Sequence, residues 1–205
     1  MAYSKFNNPL KFNHLFGVQI KGVTNLFSDI PPVEPSTALL TVLDFMLDKS
    51  YYSEAERSHS IVAPILTEII NRNKATDRIR LYQGRELNVD SKLGLTGECD
   101  YLMSYGTLID AIEAPLFSAV EAKRQDIEWG TSQCAAQLIG IRRYNERSDC
   151  HFPTLYGCST TGDDWRFIKY EGNTIYFDDH RYQRANLPLI LGILQFIVDD
   201  TKKYK

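Results

Sequence analysis

The chain has 205 residues, of which 43% are hydrophobic and 24% charged, enough for one domain with a sizeable core. A net charge of −3 gives no general attraction for phosphate, so any nucleic-acid contact has to come from local basic clusters. No apolar run reaches the roughly 20 residues of a bilayer span and no secretory leader is evident, so a cytoplasmic protein without membrane contact is expected.

Residues 1–35 are rich in Asn, Phe and Lys and end in Ile30-Pro31-Pro32-Val33-Glu34-Pro35, where prolines favour extended backbone. They read as an arm or lead-in segment, with a single domain over 36–205. Ser36 caps a predicted, mostly buried helix over 37–49, dense in Leu39, Leu40, Val42, Leu43, Phe45, Met46 and Leu47. Ser53 caps a second helix, whose apolar positions Ile61, Val62, Ile65, Leu66 and Ile69 recur at helical spacing to about Asn73, with Pro64 forcing a kink or restart. Glu54 and Glu68 both flank that apolar stripe but stand about 21 Å apart along a straight helix, so only one of them can reach a common site.

Strands are predicted over 78–89, 95–104 and 117–123, forming an antiparallel meander with a turn at 90–94. A helix follows from Thr131 to about Arg147, with Gln133, Ala136, Gln137, Gly140 and Tyr144 along one face. Short strands at 154–159, 165–170 and 174–177 precede a closing apolar helix over 187–201. This order of elements is that of an α/β sandwich with a mixed sheet.

Chemistry concentrates in Gly97-Glu98-Cys99-Asp100 and Val120-Glu121-Ala122-Lys123. Side chains alternate along a strand, so Glu121 and Lys123 share one face while Val120 and Ala122 take the other. Pairing the strand of Asp100 with that of Glu121 brings two carboxylates and an ammonium together. An E-x-K pair alone is commonly a surface ion pair; the addition of Asp100, an acidic helix upstream and a glutamine helix downstream points to metal-dependent phosphodiester hydrolysis.

The set resembles the PD-(D/E)xK nuclease superfamily over roughly residues 54–145, with Asp100 as the first motif acid and Glu121-Ala122-Lys123 as the E-x-K element. It is most similar to the amino-terminal nuclease module of type I restriction subunits. Cys99 stands where the superfamily's name has proline. The resemblance implies a restriction endonuclease-like α/β sandwich, a central mixed β-sheet flanked by helices, acting as a Mg²⁺-dependent nuclease on nucleic acid, with DNA as the expected substrate and Mn²⁺ able to substitute. Asp100, Glu121 and the Ala122 carbonyl are the implied metal ligands, and Lys123 would hold or polarise the attacking water. The helix acid comes early, ahead of Ile61-Val62-Ala63-Pro64-Ile65-Leu66, which favours Glu54 and keeps Glu68 in reserve. Gln133 ranks ahead of Gln137 as an amide that orients water or phosphate; this Gln133-x-x-x-Gln137 spacing is a looser form of the superfamily's Q-x-x-x-Y. The same scaffold could instead serve as an inactive nucleic-acid-binding or assembly module, a subunit of a larger restriction or repair complex, or a homodimer.

Arg72, Lys74, Arg78, Arg80, Arg142, Arg143 and Arg147 are candidate phosphate contacts, with solvated helix ends as the alternative. The histidines at 14, 59, 151 and 180 lack zinc spacing, and the cysteines at 99, 134, 150 and 158 read as reduced, buried thiols. Tyr156, Trp165 and Tyr170 read as core.

Overall fold

The structure is a computed structural model that describes residues 2–47 and 53–205. Helices flank a mixed eight-stranded sheet: β1 (Gln19–Val23), β2 (Arg80–Glu86), β3 (Glu98–Ser104), β4 (Leu116–Ala122), β5 (Thr154–Thr160), β6 (Asp164–Glu171), β7 (Thr174–Asp178) and β8 (Tyr182–Gln183). The spatial order is β1-β7-β6-β5-β4-β3-β2, with β8 paired to β6. Pairs β1/β7 and β4/β5 are parallel and the others antiparallel. The expected meander is present as β2-β3-β4. The segment ahead of Ser36 adds α1 (Phe12–Phe16) and the edge strand β1, and it buries Tyr3, Phe6 and Phe12.

Alternation assigns the helices to faces. Glu121 on β4 reaches Gln137 of α5 (Ile127–Glu146). Three residues earlier Ser118 points the opposite way beside Tyr156, whose hydroxyl donates to Asp200 of α6 (Leu187–Thr201) at 2.8 Å. Thus α5 lies on one face and α6 on the other, packed with α4 (Ala63–Asn73) and, outside it, α2 (Thr37–Leu47). The core between these layers holds Trp165, Phe117, Phe167, Tyr101 and Leu66, all essentially inaccessible, and each such side chain contributes about 1.5–3 kcal/mol of burial. The lead-in chain crosses α6 at Gly192, where an added Cβ would meet the Pro31 carbonyl oxygen at 2.2 Å; only glycine permits that approach.

Three local outcomes depart from the sequence expectation. First, α2 buries Leu39 and Leu43, while Leu40, Val42 and Phe45 are exposed; it packs on α4 and on the turn over Ser58–Val62 that precedes it, so among the described residues a dense apolar pattern is covered on one side. Its expected continuation to residue 49 lies outside the described residues. Second, the restart expected at Pro64 is present, with Pro64 in the first turn of α4, but the helix reaches it as α3 (Glu54–Arg57) and a π-helical turn over Ser58–Val62 that the apolar spacing did not foretell. Third, α5 begins four residues before Thr131, because Asp126 caps it by accepting the Trp129 amide at 2.8 Å. Cys99, Cys134 and Cys158 are buried free thiols, and Cys150 is half-buried. Among the described residues no helix is long and apolar enough to cross a membrane.

Candidate active site

Antiparallel register brings the motif acids together. Tyr101 pairs with Val120, so one step further along both strands Asp100 stands opposite Glu121 on the same face. The Asp100 Oδ2 accepts the Ala122 amide at 2.7 Å, tying the aspartate to the end of β4. Just beyond that end, the Lys123 amide donates to the Thr160 carbonyl of β5 at 2.8 Å. With its backbone held there, Lys123 turns its Nζ onto Glu121 Oε1 at 2.7 Å. The other Glu121 oxygen accepts from Gln137 Nε2, also at 2.7 Å, and Glu121 is buried to 1% exposure.

Glu54 joins this group from the opposite layer. Ser53 and Glu56 form a capping box that fixes the start of α3, with Ser53 Oγ accepting the Glu56 amide and Glu56 Oε2 accepting the Ser53 amide. Glu54, the first residue of α3, then accepts the Arg124 amide at 3.0 Å and sits 3.8 Å from Lys123 Nζ. Glu68 is elsewhere: it accepts from the Ser36 amide and hydroxyl and pairs with Arg72 at 2.9 Å, joining the start of α2 to α4. The structure therefore places Glu54, and not Glu68, beside Asp100, Glu121 and Lys123. Gln137 is the glutamine that touches Glu121. Gln133 is buried one turn earlier, its side-chain oxygen without a partner among the described residues.

Electrostatics follow from burial and crowding. Burial, then the nearby Asp100 charge, push the Glu121 carboxyl up to about 7, against the pull of Lys123 and Gln137. Burial likewise raises Asp100, although the Ala122 amide and Lys123 draw it down. Burial disfavours the charged form of Lys123, but Glu121, Glu54 and Asp100 outweigh it, so the side chain is held as an ammonium. Three carboxylates face one ammonium, and the surplus of negative charge opens on a cleft of about 220 Å³ lined by Glu54, Ser58, Gln83, Glu98, Asp100 and Ala122. The donors there are carboxylate and carbonyl oxygens, the ligand chemistry of Mg²⁺ or Mn²⁺, and a cation would relieve the cost of ionising the buried pair. Asp100, Glu121 and the Ala122 carbonyl are the oxygens that could hold a hard divalent ion there, Glu121 after release from Lys123 or Gln137. Among the described residues no three His, Cys, Asp or Glu side chains are already gathered as a ligand cluster.

The arginines singled out by their place in the sequence are mostly tied elsewhere. Arg80 donates to the Thr107 carbonyl, Arg142 lies over the Tyr170 ring, Arg143 pairs with Asp90, and Arg147 donates to Val89. The cations that border the centre are Arg57, which bridges the Thr161 carbonyl and Asp163, and the exposed Arg124. Neither was legible as a site residue. Arg124 directly follows the E-x-K element, the one signal that could have drawn notice. Comparison with protein-family models, curated proteins and solved structures found no match for this chain.

Proposed function

We propose that the protein hydrolyses phosphodiester bonds in nucleic acid, DNA foremost, as a Mg²⁺-dependent nuclease on a restriction endonuclease-like scaffold. The observation that carries this reading is the convergence of Asp100, Glu121, Lys123 and Glu54 at the end of β4, where Glu121 and Glu54 share the Lys123 ammonium and Asp100 and Glu54 open on the cleft. Asp100, Glu121 and the Ala122 carbonyl would hold the metal, which when bound supplies charge neutralisation at phosphoryl oxygens and an acidified water. The carboxylates around Lys123 favour its ammonium form, so its part in this reading is to donate hydrogen bonds to the incoming water or to a phosphoryl oxygen as negative charge grows there. Gln137 fixes the rotamer of Glu121, and Glu54 holds Lys123 and the Arg124 backbone in place.

One feature favours the rival reading, an inactive nucleic-acid-binding or assembly module: both Glu121 oxygens are already engaged, by Lys123 and Gln137. Incubating wild type, Asp100→Ala and Lys123→Met with DNA in Mg²⁺ or Mn²⁺ separates the two. Cleavage by wild type alone is expected. Equal cleavage by wild type and Asp100→Ala refutes the metal mechanism, and DNA binding without cleavage by any of the three supports the rival.

A further inference from the structure

The connection from β4 to α5 leaves Lys123 and runs through Arg124 to Trp129 in the first turn of α5. Trp129 is 42% exposed, whereas the protein's other tryptophan, Trp165, is fully buried. The exposed ring is anchored: its Nε1 donates to the Ser4 carbonyl at 3.2 Å, and its backbone amide is held by Asp126. It forms one side of a cleft of about 480 Å³ that also includes Asn7, Ser132, Arg166 and Phe177, within the ~300–1,000 Å³ range of small-ligand sites. Arg166 lies against the Phe177 ring, 5.7 Å from its centre, with its Nε committed to the Asp178 carbonyl. Two acids line the cleft as well, Asp126 accepting the Trp129 amide and Glu128 paired with Arg181. The cleft therefore offers a fixed indole, a held guanidinium, neutral polar groups and two carboxylates already engaged within the fold.

It also adjoins the catalytic cluster. A Cβ added to Gly130, the residue after Trp129, would lie 2.8 Å from Lys123 Cγ, so the start of α5 rests on the lysine stem. Between the two, the Arg124 side chain is exposed and has no partner among the described residues.

We propose that this cleft receives an unpaired nucleobase of a single strand, stacked on Trp129, with Arg124 meeting the adjoining phosphate. The inference rests on the nuclease reading and names its substrate class. A base inside a duplex has both faces covered by its neighbours and gains nothing from an indole without first unstacking. An unpaired base has a face to offer, and stacking tolerates any base, so no sequence-reading domain is required.

The test uses the Lys123→Met background in Mg²⁺, where strands stay whole, and wild type in EDTA as a second measurement. Trp165 is shielded, so quenching of tryptophan emission reports on Trp129. Oligothymidylate and oligouridylate should quench, and a blunt duplex of equal length should not. Adding Trp129→Ala should weaken single-strand binding about five- to 150-fold by anisotropy, and Trp129→Phe should recover part of that loss. Equal quenching by duplex and single strand, or unchanged affinity in Trp129→Ala, overturns the proposal. Quenching in a chain whose wild type never cuts DNA supports the stacking site while sinking the catalytic reading; cutting without quenching does the reverse.

Discussion

Replacing Glu121 with glutamine tests the electrostatics of the centre, because the amide keeps the shape of the carboxylate and removes its charge. In the metal-free protein the Glu121 carboxyl is raised from its ordinary 4.5 to about 7. The folded state therefore binds an extra proton between those values. The stabilising contribution of this group is fully present below about 4.5 and is lost as pH rises through about 7. Multiplying the difference by about 1.4 kcal/mol per pH unit, wild type above pH 8 carries about 3 kcal/mol of unfavourable ionisation energy that Glu121→Gln lacks. The Lys123 attraction is already included, since it acts to lower the same carboxyl. Urea unfolding of both proteins in EDTA from pH 5 to 9 should show a variant close to wild type at the acid end and about 3 kcal/mol more stable at the alkaline end. Mg²⁺ should then raise the wild-type midpoint at pH 8 far more than the variant's. A gap that stays flat across this range, or that opens in wild type's favour, would falsify the account of Glu121 as a buried carboxylate ionised at a cost.

Further outcomes follow from the same contacts and, where they concern cleavage, from the proposed nuclease reading. Lys123→Met should abolish cleavage and leave the far-ultraviolet spectrum unchanged; the Glu121 carboxyl should rise further without its ammonium, detectable as a greater loss of stability above pH 7. Glu68→Ala should destabilise the fold by about 2 kcal/mol, since Ser36 and Arg72 lose a buried acceptor, yet leave cleavage intact. Glu54→Ala should do the opposite, with a stability change under about 1 kcal/mol for a half-exposed pair and a marked fall in turnover. Gly130→Ala would ordinarily favour a helix by about 1 kcal/mol, but here its Cβ would fall 2.2 Å from Ser159 Oγ and 2.8 Å from Lys123 Cγ. A drop in melting temperature together with lower activity is expected; a gain in both would show that α5 does not press on the lysine.

Periodicity and local chemistry carried much of the fold. The closing helix over 187–201 coincides with α6, the three-stranded meander formed as read, and Ser36 and Ser53 both act as caps. The motif acids were legible for the same reason: period-two alternation and antiparallel pairing fix which side chains of β3 and β4 share a face. Other features depended on contacts remote in sequence. Nothing in residues 37–47 says which neighbours would cover them, so Leu40, Val42 and Phe45 looked more buried than they are. The start of α5 was misplaced because Asp126 reads equally as loop or cap until its partner amide is known.

The centre divides along the same line. Sequence alone determined that Asp100, Glu121 and Lys123 would meet if their two strands paired, and the observed register supplies that pairing. Only tertiary structure decided between Glu54 and Glu68, because that choice turns on how α3 and α4 lie across the sheet, and Glu68 is drawn to Ser36 and Arg72. It likewise put Gln137 in contact with Glu121 and left Trp129 exposed beside Lys123. Spacing along a strand or helix fixes direction, whereas contact between layers depends on packing that the whole core sets at once.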